Sequence, residues 1–165
     1  MIDLEVEKAR TNDRLPIYRM LELYQHDLSD IWDQDLNINR EYGYNLDRYW
    51  TGDDCHPFVA FVGGHYAGLA LVDSAVKVGT DGFWMDQFLV LKKYRGCGLG
   101  KELATRVFAA LPGHWEVGQI MSKHAAQAFW RRVITDYTVG SFTEHSLAGG
   151  RWEGIVQCFE SNPGK

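Results

Sequence analysis

The stretch Leu89–Leu103, LVLKKYRGCGLGKEL, constrains this chain more than any other. An apolar run ends in two lysines and a tyrosine. Arg95 then opens a series of alternating glycines, Gly96, Gly98 and Gly100, and an apolar pattern at helical spacing follows through Leu99, Leu103, Val107 and Phe108. Glycine loses more conformational freedom on ordering than any other residue, so three at this spacing imply that the backbone itself has a task. A strand that turns into a helix through residues without side chains lets an anion approach the unpaired amides at the positive end of the helix. Arg95 and Lys101 add charge at the edge of such a turn.

Two other phosphate loops do not fit. A nucleoside-triphosphate loop needs G-x-x-x-x-G-K-S/T, but Gly100-Lys101 is followed by Glu102, and Arg95 stands where the first glycine belongs. A dinucleotide fingerprint needs G-x-G-x-x-G at the opening of a parallel unit, whereas here the spacing is G-x-G-x-G and a hairpin pattern comes before it. A pyrophosphate held by converging amides remains, beside the plainer reading of a glycine-rich turn that merely starts a helix.

The chain has 165 residues, enough for one domain with its own core, and 45% hydrophobic with 24% charged residues is ordinary for a globular protein. A net charge of -5 weighs against a dedicated nucleic-acid binder. Charges or glycines interrupt every apolar run, so no membrane span is expected. The opening MIDLEVEKARTND is acidic where a secretory leader is basic and then apolar, which makes a cytoplasmic location the expectation. Cys55, Cys97 and Cys158 are far apart and odd in number, suggesting neither a disulfide framework nor a zinc ribbon. Asp53, Asp54, Cys55 and His56 carry metal-ligand chemistry, but neighbours in sequence rarely converge on one ion, and no metal is expected.

Alternation of Ile2, Leu4 and Val6 with acids predicts a half-buried first strand. Ile17, Leu21, Tyr24 and Leu28 then recur at helical spacing, with Asp13 and Pro16 at the opening of the helix. INREYGYNLDRYW reads as a loop with a short helix near its end. Phe58–Val72 reads as a hairpin turning at Gly63-Gly64. Phe83–Leu91 is apolar enough to be a central strand, and Pro112-Gly113 ends the helix that starts at the glycines. HWEVGQIM reads as a strand, Ser122 as the cap of a helix over KHAAQAFWRRVI, and YTVGSFTEH and WEGIVQCFE as two late strands turning near Gly149-Gly150. The order predicts a mixed α/β fold with an antiparallel first half and a strand-to-helix crossover through the glycines.

RGCGLG fits R/Q-x-x-G-x-G/A, and on it the chain resembles the GCN5-related N-acetyltransferase (GNAT) superfamily, whose coenzyme-A pyrophosphate loop has that form. WMDQFLVLKKY looks like the family's fourth strand and AAQAFWRRVI like its late helix. The likeness is specific over Phe83–Ile134 and loose before Phe58. It implies the GNAT-like fold, a central mixed, mostly antiparallel sheet flanked by helices, formed by residues 1–165 as a single N-acetyltransferase domain. It also implies acetyl-CoA as cofactor. Main-chain groups around Phe88, Leu89 and Val90 would pair with the pantetheine arm. Amides from Arg95 through Gly96, Cys97, Gly98, Leu99, Gly100 and Lys101 would hold the pyrophosphate, with Phe129 and Trp130 near the cofactor. Three departures stand out. Lys123 replaces a frequent asparagine, Trp130 replaces the tyrosine that often protonates the leaving thiolate, and Thr135, Asp136 and Tyr137 blur the usual glycine and aromatic. An indole cannot serve as that acid at ordinary pH.

The resemblance implies transfer of an acetyl group to a primary amine of a small molecule or peptide by direct attack in a ternary complex. Among catalytic candidates Asp86 ranks first as base, since it precedes the cofactor contacts on the same strand; its alternative is a polar residue at the sheet edge or in an ion pair. Glu144 and Tyr94 follow, and His124 is weaker. Glu22, Tyr42, Tyr44 and Trp50, with Asp86, offer the carboxylates and rings that suit a cationic acceptor. They equally suit an ordinary helix pair with a solvated face. Two further functions stay open: a noncatalytic acyl-CoA-binding or sensing module on the same fold, and a structural or protein-interaction domain. Many relatives dimerise, so a homodimer is compatible with the resemblance, although no stretch specifies an interface.

Overall fold

The structure is a computed structural model that describes residues 3–164. Seven strands hydrogen-bond in the order β1-β2-β3-β4-β5-β7-β6. They are β1 (Leu4–Lys8), β2 (His56–Val62), β3 (His65–Asp73), β4 (Phe83–Val90), β5 (Gly113–Gln119), β6 (Thr143–Leu147) and β7 (Gly154–Ser161). β1 pairs antiparallel with β2, β5 with β7 and β6 with β7, while β4 and β5 run parallel. Four helices connect them: α1 (Arg14–Trp32), α2 (Arg48–Thr51), α3 (Leu99–Ala110) and α4 (His124–Thr138). This is the mixed, mostly antiparallel sheet with flanking helices that the element order implies, and Phe83–Val90 is its middle strand.

The chain forms two compact units, one of Met1–Leu71 with Gln87–Gly100, the other of Val72–Asp86 with Lys101–Lys165. In the first, β1 begins at Leu4, and the predicted Ile2 lies outside the described residues. Asp13 precedes α1 but makes no side-chain cap. Its carboxylate instead accepts the Arg10 amide (2.7 Å) and the Tyr66 hydroxyl (2.5 Å), tying the helix entry to β3. Ile17, Met20, Leu21, Gln25 and Leu28 make the buried stripe of α1, which packs with Leu46, Tyr49, Val59, Leu69, Leu71 and Leu89. Gly63 and Gly64 both take positive φ in the β2–β3 turn, as a two-residue hairpin of that twist requires.

In the second unit Phe108, Trp115, Tyr137 and Phe159 pack ring against ring; Phe108 lies 4.9 Å from both Trp115 and Phe159. The opposite face of β5 and β7 carries Glu116, fully buried, whose carboxylate accepts the amides of Lys77 (2.5 Å), Val78 (3.0 Å) and Gly79 (2.6 Å). Burial pushes this carboxyl's pKa up, but the three amides and His114 outweigh it and hold it below the ordinary value. Farther along β5, Trp84 and Trp152 meet edge to face over Gly118, where a Cβ would come within 2.3 Å of the Trp84 ring. Two expectations fail here. Ser122 is not the cap of α4, because Lys123 occupies that position. YTVG is not strand but the end of α4: Val133, Ile134 and Tyr137 keep helical spacing against the core, and Val139 turns the chain left-handed at φ 54°. Burial of Val133 and Ile134 on the preceding turn carries the helix through Thr138 despite its β preference, while Val139 is exposed and ends the helix.

Glu116→Gln should destabilise the fold by about 1–3 kcal/mol, since its NH2 cannot accept the amides that the carboxylate accepts. Chemical denaturation followed by circular dichroism measures this, and an unchanged midpoint would contradict the clamp.

Candidate functional site

β4 leads through a 3-10 turn at Lys92–Tyr94 into the predicted glycine loop. Gly96 and Gly98 adopt φ of 79° and 86°, which side chains of L-residues rarely adopt, and a Cβ at either would meet nothing within 4 Å. The glycines are therefore required by backbone conformation, and the space before the turn is open. Gly98 precedes α3 and supplies no capping oxygen. The amides of Gly98, Leu99 and Gly100 come before the first intrahelical bond and have no main-chain acceptor among the described residues. Residues 95–98 are exposed, whereas Leu99 anchors the helix at 1% exposure. Unpaired amides, open space at Gly96 and Gly98 and the positive helix end are the features by which such a turn can take a diphosphate.

The flanking side chains have definite partners. Arg95 Nε donates to the Val90 carbonyl at 2.7 Å, and its guanidinium lies 3.4 Å from Asp27 of α1. The Cys97 thiol donates to the Tyr94 carbonyl (3.0 Å), and Lys93 sits 5.1 Å above the Tyr94 ring. Phe88 and Val90 are half-buried on β4, and Leu89 belongs to the core of the first unit.

Three of the acceptor candidates of this unit, Glu22, Tyr42 and Tyr44, are tied to α1 by hydrogen bonds. Both oxygens of Glu22 accept main-chain amides, from Tyr42 and Gly43, at 2.8 Å each. The Tyr44 hydroxyl donates to Gln25 (2.8 Å), and His26 meets the Tyr42 hydroxyl (3.2 Å). Glu22, Tyr42 and Tyr44 thus fasten the loop after α1 to that helix. Burial, then hydrogen bonding to Glu41 and the charge of Glu22, raises the Tyr18 phenol to about 12, so it stays a donor at neutral pH. Tyr18 and Tyr44 border an open depression of about 710 Å3 together with Asn12, Arg14, Asn45 and Asp47. The buried indole nitrogen of Trp50 finds no hydrogen-bond partner. Trp50 was among the acceptor candidates read from the sequence, whereas Gln25 was marked by no sequence pattern.

The remaining candidates lie in the second unit. Asp86 is half-buried on β4 and, two residues from Trp84, shares its face of the strand. Glu144 is held by both nitrogens of Arg131 (2.8 and 2.7 Å) and by Gln157 (3.0 Å), and the arginine keeps its carboxyl below the ordinary value. Gln157 also exchanges two hydrogen bonds with Gln119 (2.8 and 3.0 Å), a buried amide pair that the sequence reading missed. Lys101 binds Asp136 at 2.6 Å. Trp130 is 6% exposed, its ring 6.2 Å from Phe108 and 5.1 Å from Phe129. Gln127 holds the carbonyls of Ile120 and Met121, binding the start of α4 to the chain leaving β5.

The sequence profile of the acetyltransferase (GNAT) family matches residues 17–134, more than half of the chain and the whole glycine turn. The chain belongs to that family. Among curated proteins none matches. Solved GNAT structures align along nearly the full length. The ribosomal-protein-S18-alanine N-acetyltransferase of Escherichia coli is 16% identical with a TM-score of 0.63, covering 96% of this chain and 94% of its own. YncA of Salmonella typhimurium, solved with its cofactor acetyl-CoA, is 18% identical with a TM-score of 0.61 and the same coverages, 96% and 94%. The PaiA N-acetyltransferase of Thermoplasma acidophilum, in complex with coenzyme A, is 10% identical with a TM-score of 0.61, covering 96% and 99%. At these identities the likeness establishes the fold.

Glu144 contributes stability above the ordinary carboxyl value of 4.5, and that contribution fades as pH falls below it toward the depressed folded value. Arg131→Gln should therefore lower stability at pH 7 and flatten the acid limb of the stability profile. Urea midpoints from pH 7 down to about pH 3 test this; parallel profiles for the two proteins would refute it.

Proposed function

We propose that this chain is a single-domain, acetyl-CoA-dependent N-acetyltransferase that acetylates a primary amine of a small molecule or peptide. The Arg95–Gly100 turn carries the reading, with its outward amides at the start of α3 in a chain of this family. Coenzyme A in complexes of two fold relatives supports the cofactor assignment. Bound acetyl-CoA supplies the acetyl thioester. The amides of Gly98, Leu99 and Gly100 hold its pyrophosphate, and main-chain groups of Phe88 and Val90 pair with the pantetheine arm. A donor from the pantetheine arm would share or replace the bond of Arg95 to the Val90 carbonyl, and a freed guanidinium would be available to the phosphates.

Asp86 takes the proton from the attacking amine, directly or through a water. Glu144 suits that role less, because an arginine holds it ionised with a weakened proton affinity. The leaving thiolate takes a proton from solvent or from Tyr94; Trp130 has none to give. The acceptor lies along the loop after α1. The open depression with Tyr18 and Tyr44 has a volume suited to a small molecule. A cytoplasmic location and a homodimer accord with this activity. The buried Trp130 and the engaged Glu144 favour a second reading, an acyl-CoA sensor on the same fold.

Calorimetry should detect saturable acetyl-CoA binding. Gly98→Ala should weaken it about tenfold, because a Cβ at positive φ costs about 1–2 kcal/mol. Asp86→Asn should lower turnover by about 10²–10⁴ with cofactor affinity nearly unchanged. Absence of acetyl-CoA binding would remove the reading. Binding without thiol release across a broad amine panel would establish the sensor instead.

A further inference from the structure

The pairing of β5 and β7 sets His114 opposite Glu160 and Glu116 opposite Cys158. Side chains return to one face of a strand at every second residue, so these four form a two-by-two block on one face of the pair. The contacts agree: His114 Nδ1 lies 3.1 Å from Glu160 Oε1, and Nε2 lies 3.3 Å from Glu116 Oε1. One donor atom each from His114, Glu116 and Cys158 lie within 4.8 Å of one another. We propose that His114, Glu116 and Cys158 bind a divalent cation of the zinc class, with Glu160 orienting the imidazole.

Three features support the assignment. Ligands about 2.0–2.1 Å from a tetrahedral zinc stand about 3.3 Å apart, which matches the Nε2–Oε1 separation. A ligating histidine commonly gives its other N–H to a carboxylate, and Glu160 stands at Nδ1 for that purpose, turning Nε2 toward Glu116. The carboxylate is itself fixed by the Gly79 amide at 2.6 Å on the same oxygen, so its orientation needs no metal. A set of thiol, imidazole and carboxylate favours zinc, cobalt or cadmium over the oxygen-seeking magnesium and calcium. Glu116 and Cys158 are buried, while the His114 side chain is 29% exposed and marks the route of entry. On binding, the Cys158 thiol gives its proton to solvent, one metal–sulfur bond forms, and no electron is transferred. Three protein ligands leave a fourth tetrahedral position for water.

The test uses the full chain after chelator treatment, titrated with Co²⁺ and then with Zn²⁺. The expected result is one Co²⁺ per chain, with tetrahedral visible bands and a sulfur-to-cobalt band in the near ultraviolet, all displaced by Zn²⁺. Cys158→Ser should abolish the sulfur band and Glu160→Gln should weaken metal affinity about 10- to 100-fold. Cys55→Ser and Cys97→Ser should leave both unchanged. If circular dichroism shows Cys158→Ser unfolded, His114→Gln carries the same test from a partly exposed position. No saturable Co²⁺ binding by the wild type, or a sulfur band that survives in the folded variants, would overturn the site. None of these readouts depends on acetyl transfer.

Discussion

A buried carboxylate organises one face of the second unit. Glu116 has no exposed surface, and an unsatisfied charge there would be strongly destabilising. Three consecutive amides, Lys77 to Gly79, meet it in the manner of an anion nest, which forces the segment between β3 and β4 to fold down onto β5. Other close contacts gather on this face: Lys77 lies 4.6 Å over Trp84, Trp84 meets Trp152, and both rings rest where Gly118 lacks a side chain. Altering any one of them would disturb the others, since they share one face.

The first unit is built on a different principle. Its core is an apolar helix stripe against a hairpin, and its polar network is local, joining α1 to the loop that follows it. The glycine turn is where consecutive amides lack main-chain acceptors among the described residues. A carboxylate satisfying amides inside the protein and amides awaiting an anion outside it are the same chemistry in two settings.

Most of the fold was legible because period and punctuation agree. Ile17, Leu21 and Leu28 mark α1, Gly63-Gly64 the hairpin, and Phe83 to Val90 the central strand. Where local β preference conflicts with the buried stripe of the preceding helix, at Tyr137 and Thr138, the stripe prevails. The glycine turn into α3 was legible because its signal is a spacing in consecutive residues. The grouping of His114, Glu116 and Cys158 was not, since the members lie far apart in sequence and meet only through strand register. Glu144 and Glu22 looked like free carboxylates in sequence. Their partners, Arg131 and the amides of Tyr42 and Gly43, come from neighbouring elements that composition does not pair.

Arg95 has a consequence for how the glycine turn works. Its Nε occupies the Val90 carbonyl while its guanidinium rests near Asp27. A strand-like ligand arriving along β4 therefore competes with a hydrogen bond the protein already makes with itself. On the proposed reading, entry would be an exchange of partners, in which the arginine that now holds the end of β4 would turn to the ligand as a counter-ion.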